Sequence, residues 1–92
     1  MTWTVKLTNR AAKQYKKLPK VIRDNIDALM LEIRVAGPVR GNWPNYSKLS
    51  YGEHHCHVKK GKPTYVAVWR EDKEEIRLVE VIYAGTHEKA PY

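Results

Sequence analysis

The sequence predicts an α+β domain: a small antiparallel-rich sheet, built in the order strand, helix, helix, three strands, and backed by a two-helix hairpin. Three observations predict it. The chain opens on period-2 alternation, continues through two stretches of helical periodicity that stop at Gly37-Pro38, and then changes to short strand-like runs separated by turn residues. With 92 residues it forms one domain, residues 1–92, with a modest core.

Trp3, Val5 and Leu7 alternate with Thr2, Thr4, Lys6 and Thr8, the pattern of a half-buried strand. Thr8 or Asn9 then caps a helix, because a short side-chain oxygen satisfies its free amides. Ala11, Tyr15 and Leu18 share one face of that helix, and Arg10, Lys13, Lys16 and Lys17 occupy the rest. Pro19 suits the first turn of a second helix, where no amide bond is lost. Ile22, Ile26, Leu29, Met30 and Ile33 place its apolar stripe, and Gly37-Pro38 ends it. Residues 38 to 47 have loop composition, with Pro38, Gly41, Asn42, Pro44 and Asn45. Strands follow at about residues 52–59, 64–70 and 75–84, joined by turns at Lys60-Gly61-Lys62-Pro63 and Glu71-Asp72-Lys73, so that neighbours pair antiparallel.

The composition narrows the function. A formal net charge of +7 and a pI near 9.6 favour an acidic partner: nucleic acid, a ribosomal surface or an acidic protein. Residues 1–37 carry +5, residues 38–62 carry +4 and residues 63–92 carry −2, so the positive field belongs to the first two segments. A single cysteine forms no internal disulfide and fits a reducing cytoplasm. No signal-peptide pattern and no long apolar run occurs, so a membrane partner is not expected.

Most chemistry-bearing side chains gather in Glu53-His54-His55-Cys56-His57-Val58-Lys59-Lys60 and in Thr86-His87-Glu88-Lys89-Ala90-Pro91-Tyr92. On a strand, Glu53, His55, His57 and Lys59 share one face, while His54, Cys56 and Val58 share the other. Cys56 and Val58 read as core, which leaves His55 and His57 on the helix-free face. Two imidazoles followed by lysines suit phosphate chemistry, since histidine exchanges a proton near neutrality and lysine stabilises charge on a phosphorane. The same row also suits a solvated strand face. A metal is not expected, because Cys56 points away from His55 and His57 and no Cys-x-x-Cys or His-x-x-x-His pair adds ligands. Trp43, Tyr46, Tyr51 and Tyr92 fall in loops or the tail and can stack on bases.

Taken in order, several segments resemble the RelE/ParE superfamily of bacterial toxins, and within it the RelE-like messenger RNA interferases. These are the opening strand, Ala11-Ala12-Lys13-Gln14-Tyr15-Lys16-Lys17-Leu18 running into Val21-Ile22-Arg23-Asp24-Asn25-Ile26, then Lys48-Leu49, Tyr65-Val66-Ala67-Val68-Trp69, and Val81-Ile82-Tyr83-Ala84-Gly85-Thr86-His87-Glu88 with a closing tyrosine. The resemblance implies a toxin neutralised by a cognate antitoxin protein. It also implies an endoribonuclease that cuts messenger RNA on the ribosome, and the histidine row then fits acid–base cleavage without a metal or other cofactor, leaving a 2′,3′-cyclic phosphate. It aligns His55 and His57 with two alternate lysines of the family, His87 with an arginine after the last-strand glycine, and Tyr92 with the C-terminal tyrosine. An arginine of the family's third strand has no counterpart, since Thr64 and Tyr65 occupy that region. The catalytic candidates are therefore His55, His57, His87 and Tyr92, with Lys48, Lys59, Lys60 and Lys62 as RNA-binding candidates. A ParE-like gyrase poison, which needs no acid–base row, and a non-catalytic RNA- or antitoxin-binding module are the alternatives.

Overall fold

Thr8 closes the first strand and opens the first helix in one residue: its extended backbone places Oγ1 3.1 Å from the amide of Ala11, which it accepts. The computed structural model describes residues 2–92. Strand β1 (Thr4–Leu7) leads into α1 (Asn9–Lys16) and α2 (Lys20–Ala36), and the chain then crosses to β2 (Ser47–Lys48), β3 (Glu53–Lys59), β4 (Tyr65–Glu71) and β5 (Leu78–Thr86). Short 3₁₀ turns cover Ser50–Gly52 and His87–Lys89. The five strands form one sheet in the order β1-β5-β4-β3-β2.

The helices form as their periodicity predicts. Ile22, Ile26, Leu29 and Ile33 are buried on one face of α2, and Tyr15 of α1 donates to Asp27 of α2 at 2.6 Å, tying the hairpin together. Pro19 stands just before the first turn of α2 as its N-cap. Gly37 stops the helix at φ +99°, and a Cβ there would sit 3.2 Å from Nε1 of Trp3, so glycine answers both the backbone and the close approach.

The sheet departs from the simplest expectation in four places. β1 pairs with β5 in parallel, because the strand entering the helices and the strand ending the sheet run the same way. Ser47, the last residue of the stretch of loop composition, joins Lys48 in a two-residue edge strand paired to β3. β5 begins at Leu78 rather than at residue 75. Asp72 accepts from the amides of Glu74 (2.8 Å) and Glu75 (2.7 Å), and Arg77 adopts φ +59°, so residues 72–77 stay in a turn. In β5 the register slips, with Trp69 facing Val81 and Val68 facing Tyr83, which leaves Ile82 as an extra residue.

That bulge divides the core. Val79, Val81 and Ala84 pack beneath the helices with Cys56, Val58, Ala67 and Trp69, whereas Tyr83 turns to the opposite face beside Val66 and Val68. The helix-free face therefore carries its own small apolar cluster, to which Leu49, Ile82 and Ala90 add. Next to it, the register aligns Lys6, Glu80, Arg70 and Glu53 across the sheet as alternating charges, with Arg70 and Glu80 3.6 Å apart. No helix among the described residues is long and apolar enough to cross a membrane.

Candidate active site

β3 supplies the first part of the site. His54, Cys56 and Val58 are buried towards the helices, while His55 and His57 stand half-buried on the other face, as strand alternation requires. The rings of His55 and His57 lie 6.5 Å apart and nearly parallel.

The second part comes from the end of the chain. After β5, the amide of His87 donates to the carbonyl of Thr64 at 2.9 Å, which turns the tail back over the sheet. Ala90 then packs on the Val66-Val68-Tyr83 cluster. Pinned at these two points, the tail lays Tyr92 on His55 with ring centres 4.3 Å apart, and sets His87 edge-on to His57 at 5.5 Å. His87 and Tyr92 are themselves 6.1 Å apart, so His55, His57, His87 and Tyr92 close a ring of four aromatic side chains. Residues thirty or more positions apart in sequence thus meet in one cluster.

Its electrostatics favour neutral imidazoles on the strand. Burial, then the nearby His57, hold the pKa of His55 below the ordinary 6.5. Burial, then His87 and Lys60, do the same for His57. Burial raises the Tyr92 phenol above 10.0, so it keeps its proton at neutral pH and can donate it. His55 shares a hydrogen bond with Ser47 through Nε2 at 3.0 Å, while its buried Nδ1 has no partner.

The lysines divide. Lys60 lies near enough to His57 to disfavour its protonation, and Lys62 lines a cleft with Gly61, Pro63, Thr64, Thr86, His87 and Glu88. Lys48 is exposed on the edge strand opposite His54. Lys59 breaks the expected alignment: a second register slip, between His57 and Lys59, sets it opposite Tyr65, whose ring packs with the helix-side core. It therefore leaves the row of Glu53, His55 and His57.

Three residues have structural work that alternation and loop composition did not disclose. His54 is fully buried and stacks within 5° of parallel on Trp69. Its Nε2–H donates to the Glu71 carboxylate at 3.0 Å, and its Nδ1 shares a hydrogen bond with the Tyr46 hydroxyl at 2.7 Å. Trp43 donates to Glu32 at 3.0 Å, and Arg40 and Asn42 donate to the same oxygen, anchoring the loop to α2. Trp43 and Tyr46 thus serve packing, while Tyr51 (83% exposed) and Tyr92 (46% exposed) remain open for stacking.

No group of three or more His, Cys, Asp or Glu side chains among the described residues is placed to hold a metal. Cys56 is buried, and burial pushes its thiol up to about 12, which makes it an inert core residue.

No protein-family model and no curated protein sequence matches this chain. Solved structures do match. A mutant of the Escherichia coli toxin RelE in the free state aligns over 92% of this chain and 83% of its own, with a TM-score of 0.71 and 21% identity. The fold is that of the RelE toxins. The isolated E. coli RelE toxin gives a TM-score of 0.70 at 19% identity over 97% of this chain and 88% of its own. A chain of the archaeal RelE–RelB complex from Pyrococcus horikoshii OT3 gives 0.71 at 12% identity, over 98% of this chain and all of its own. The RelE-like fold places the helix hairpin behind the sheet and leaves the four-ring cluster on the opposite face.

Proposed function

We propose that this chain is the toxin of a toxin–antitoxin pair and cleaves messenger RNA on the ribosome by acid–base chemistry without a cofactor. The observation that carries the reading is the ring of His55, His57, His87 and Tyr92, two neutral imidazoles facing a third imidazole and a protonated phenol on the open face of a RelE-like fold.

In this reading the ribose 2′-hydroxyl attacks the adjacent phosphorus as His57 takes its proton. The bond from phosphorus to the 5′-oxygen breaks, and His87 returns a proton to that oxygen. The products are a 2′,3′-cyclic phosphate and a 5′-hydroxyl. Lys60 and Lys62, beside His57 and His87 respectively, stabilise the phosphorane charge. His55 positions Tyr92 by stacking, and Tyr92 donates a hydrogen bond or stacks on a base. Proton transfer by each positioned group contributes roughly 10² to 10⁴-fold. The ribosome supplies much of the substrate orientation, which a shallow open face does not. The partner that silences the toxin is a cognate antitoxin, as the RelE–RelB pairing of the archaeal structure suggests by likeness.

Purified protein added to messenger-programmed ribosomes tests this directly. Cleavage leaving 5′-hydroxyl and cyclic-phosphate ends is expected, and ends with 5′-phosphate and 3′-hydroxyl would refute the mechanism.

A further inference from the structure

β1 covers only residues 78–81 of β5, so the outer edge of β5 from Ile82 to Thr86 runs beside α1 without a partner strand. A groove lies along it, lined by Arg10 and Gln14 of α1, by Lys17 and Leu18 just past its end, by Tyr65, and by residues 83–86 with Lys89. Arg10 and Gln14 of α1 and Lys17 at its C-cap recur at helical spacing and line the same groove. Arg10, Lys17 and Lys89 are exposed, no carboxylate lines the groove, and none of the three makes a salt bridge among the described residues.

We infer that this groove is a binding subsite for the phosphodiester backbone of single-stranded RNA flanking the nucleotide held at the four-ring cluster. The inference rests on the proposed RNA-cleaving function and extends it to residues outside that cluster.

Two observations choose this occupant. First, the groove is continuous with the site: Thr86 lines both this groove and the cleft of Lys62 and His87, and Lys89 shares the 3₁₀ turn of His87. A strand leaving His87 meets Lys89, then Lys17 and Arg10, a run of unpaired cations suited to successive phosphates. Second, the edge is poorly prepared for an added peptide strand. Gln14 Oε1 already accepts from the amide of Ala84 at 3.1 Å, and the Tyr83 hydroxyl already donates to the carbonyl of Thr86 at 2.7 Å. A β-strand pairing here would find those two ladder positions occupied. Tyr65 and Leu18 leave apolar surface on which a base can rest, without dictating which base.

The test measures binding rather than cleavage. A labelled single-stranded RNA carrying 2′-O-methyl ribose throughout cannot be cut, so its anisotropy titration is independent of the catalytic reading. The triple variant R10Q/K17Q/K89Q alters only exposed side chains, and an unchanged melting temperature confirms its fold. If each cation contacts one phosphate, the slope of log affinity against log salt becomes shallower by about 2, at about 0.7 per contact for single strands. An equal change per charge removed in K13Q/K16Q, on the same helix outside the groove, would overturn the inference in favour of diffuse charge. A slope unchanged in the triple variant would overturn it outright, as would a loss of polyglutamate binding with RNA binding intact. Failure of ribosome-dependent cleavage with the slope change present would instead refute the catalytic reading and leave the RNA subsite standing.

Discussion

At His57 a proton is kept off the imidazole by burial, by His87 and by the charge of Lys60. That combination suits a base, which must be neutral to act, and it fixes the direction of the pH response. The acid limb of kcat/KM should lie below 6.5. Replacing Lys60 with Gln removes one cause of the depression, so the limb should move to higher pH. A limb that stays in place or moves lower would separate His57 from the rate. Cys56 gives a second test at this scale. Buried, with its thiol pushed up to about 12, it should resist alkylation at neutral pH until the protein unfolds. Rapid labelling of native protein by iodoacetamide would show that β3 does not pack as described.

The elements show how far pattern carries. Alternation alone placed Cys56 and Val58 inside and His55 and His57 outside, because a strand has only two faces and apolar residues choose one. The same alternation put His54 inside, yet its partners Glu71 and Tyr46 lie far along the chain and no local signal announces them. The bulges at Val58 and Ile82 were equally invisible, since each depends on how two distant strands meet, and they displace Lys59 and redirect Tyr83. The convergence of His87 and Tyr92 on the histidine row came from family likeness rather than from spacing. What turns the tail is a backbone bond to Thr64 and the packing of half-buried Ala90 on the Val66-Val68-Tyr83 cluster, neither legible in sequence. The His54 network is structural on this account. His54→Ala should cost about 3 kcal/mol, through a cavity against Trp69 and a stranded Tyr46 hydroxyl. His54→Phe, which keeps the stacked ring but loses both hydrogen bonds, should cost about 1–2 kcal/mol. Urea denaturation measures both, and variants as stable as the parent would contradict the role.

At the scale of the whole molecule, charge, fold and site point the same way. The cations are concentrated in residues 1–62, the sheet offers one open face, and the four rings stand on that face. The cluster also has a stability cost. Because the folded pKa values of His55 and His57 lie below 6.5, the unfolded chain binds more protons just beneath that pH. Stability should therefore fall as pH drops from above 6.5 towards the folded values, and replacing both histidines with Gln should flatten that fall. Equilibrium denaturation across this range checks the sign. The central claim is the reaction, and mapping messenger RNA 5′ ends in cells after induction tests it most directly, with gyrase-linked DNA breaks scored in parallel. The account predicts new ends within translated regions, reduced about 10²-fold or more by His57→Ala or His87→Ala, with DNA intact. Intact messages accompanied by gyrase-linked breaks would contradict it.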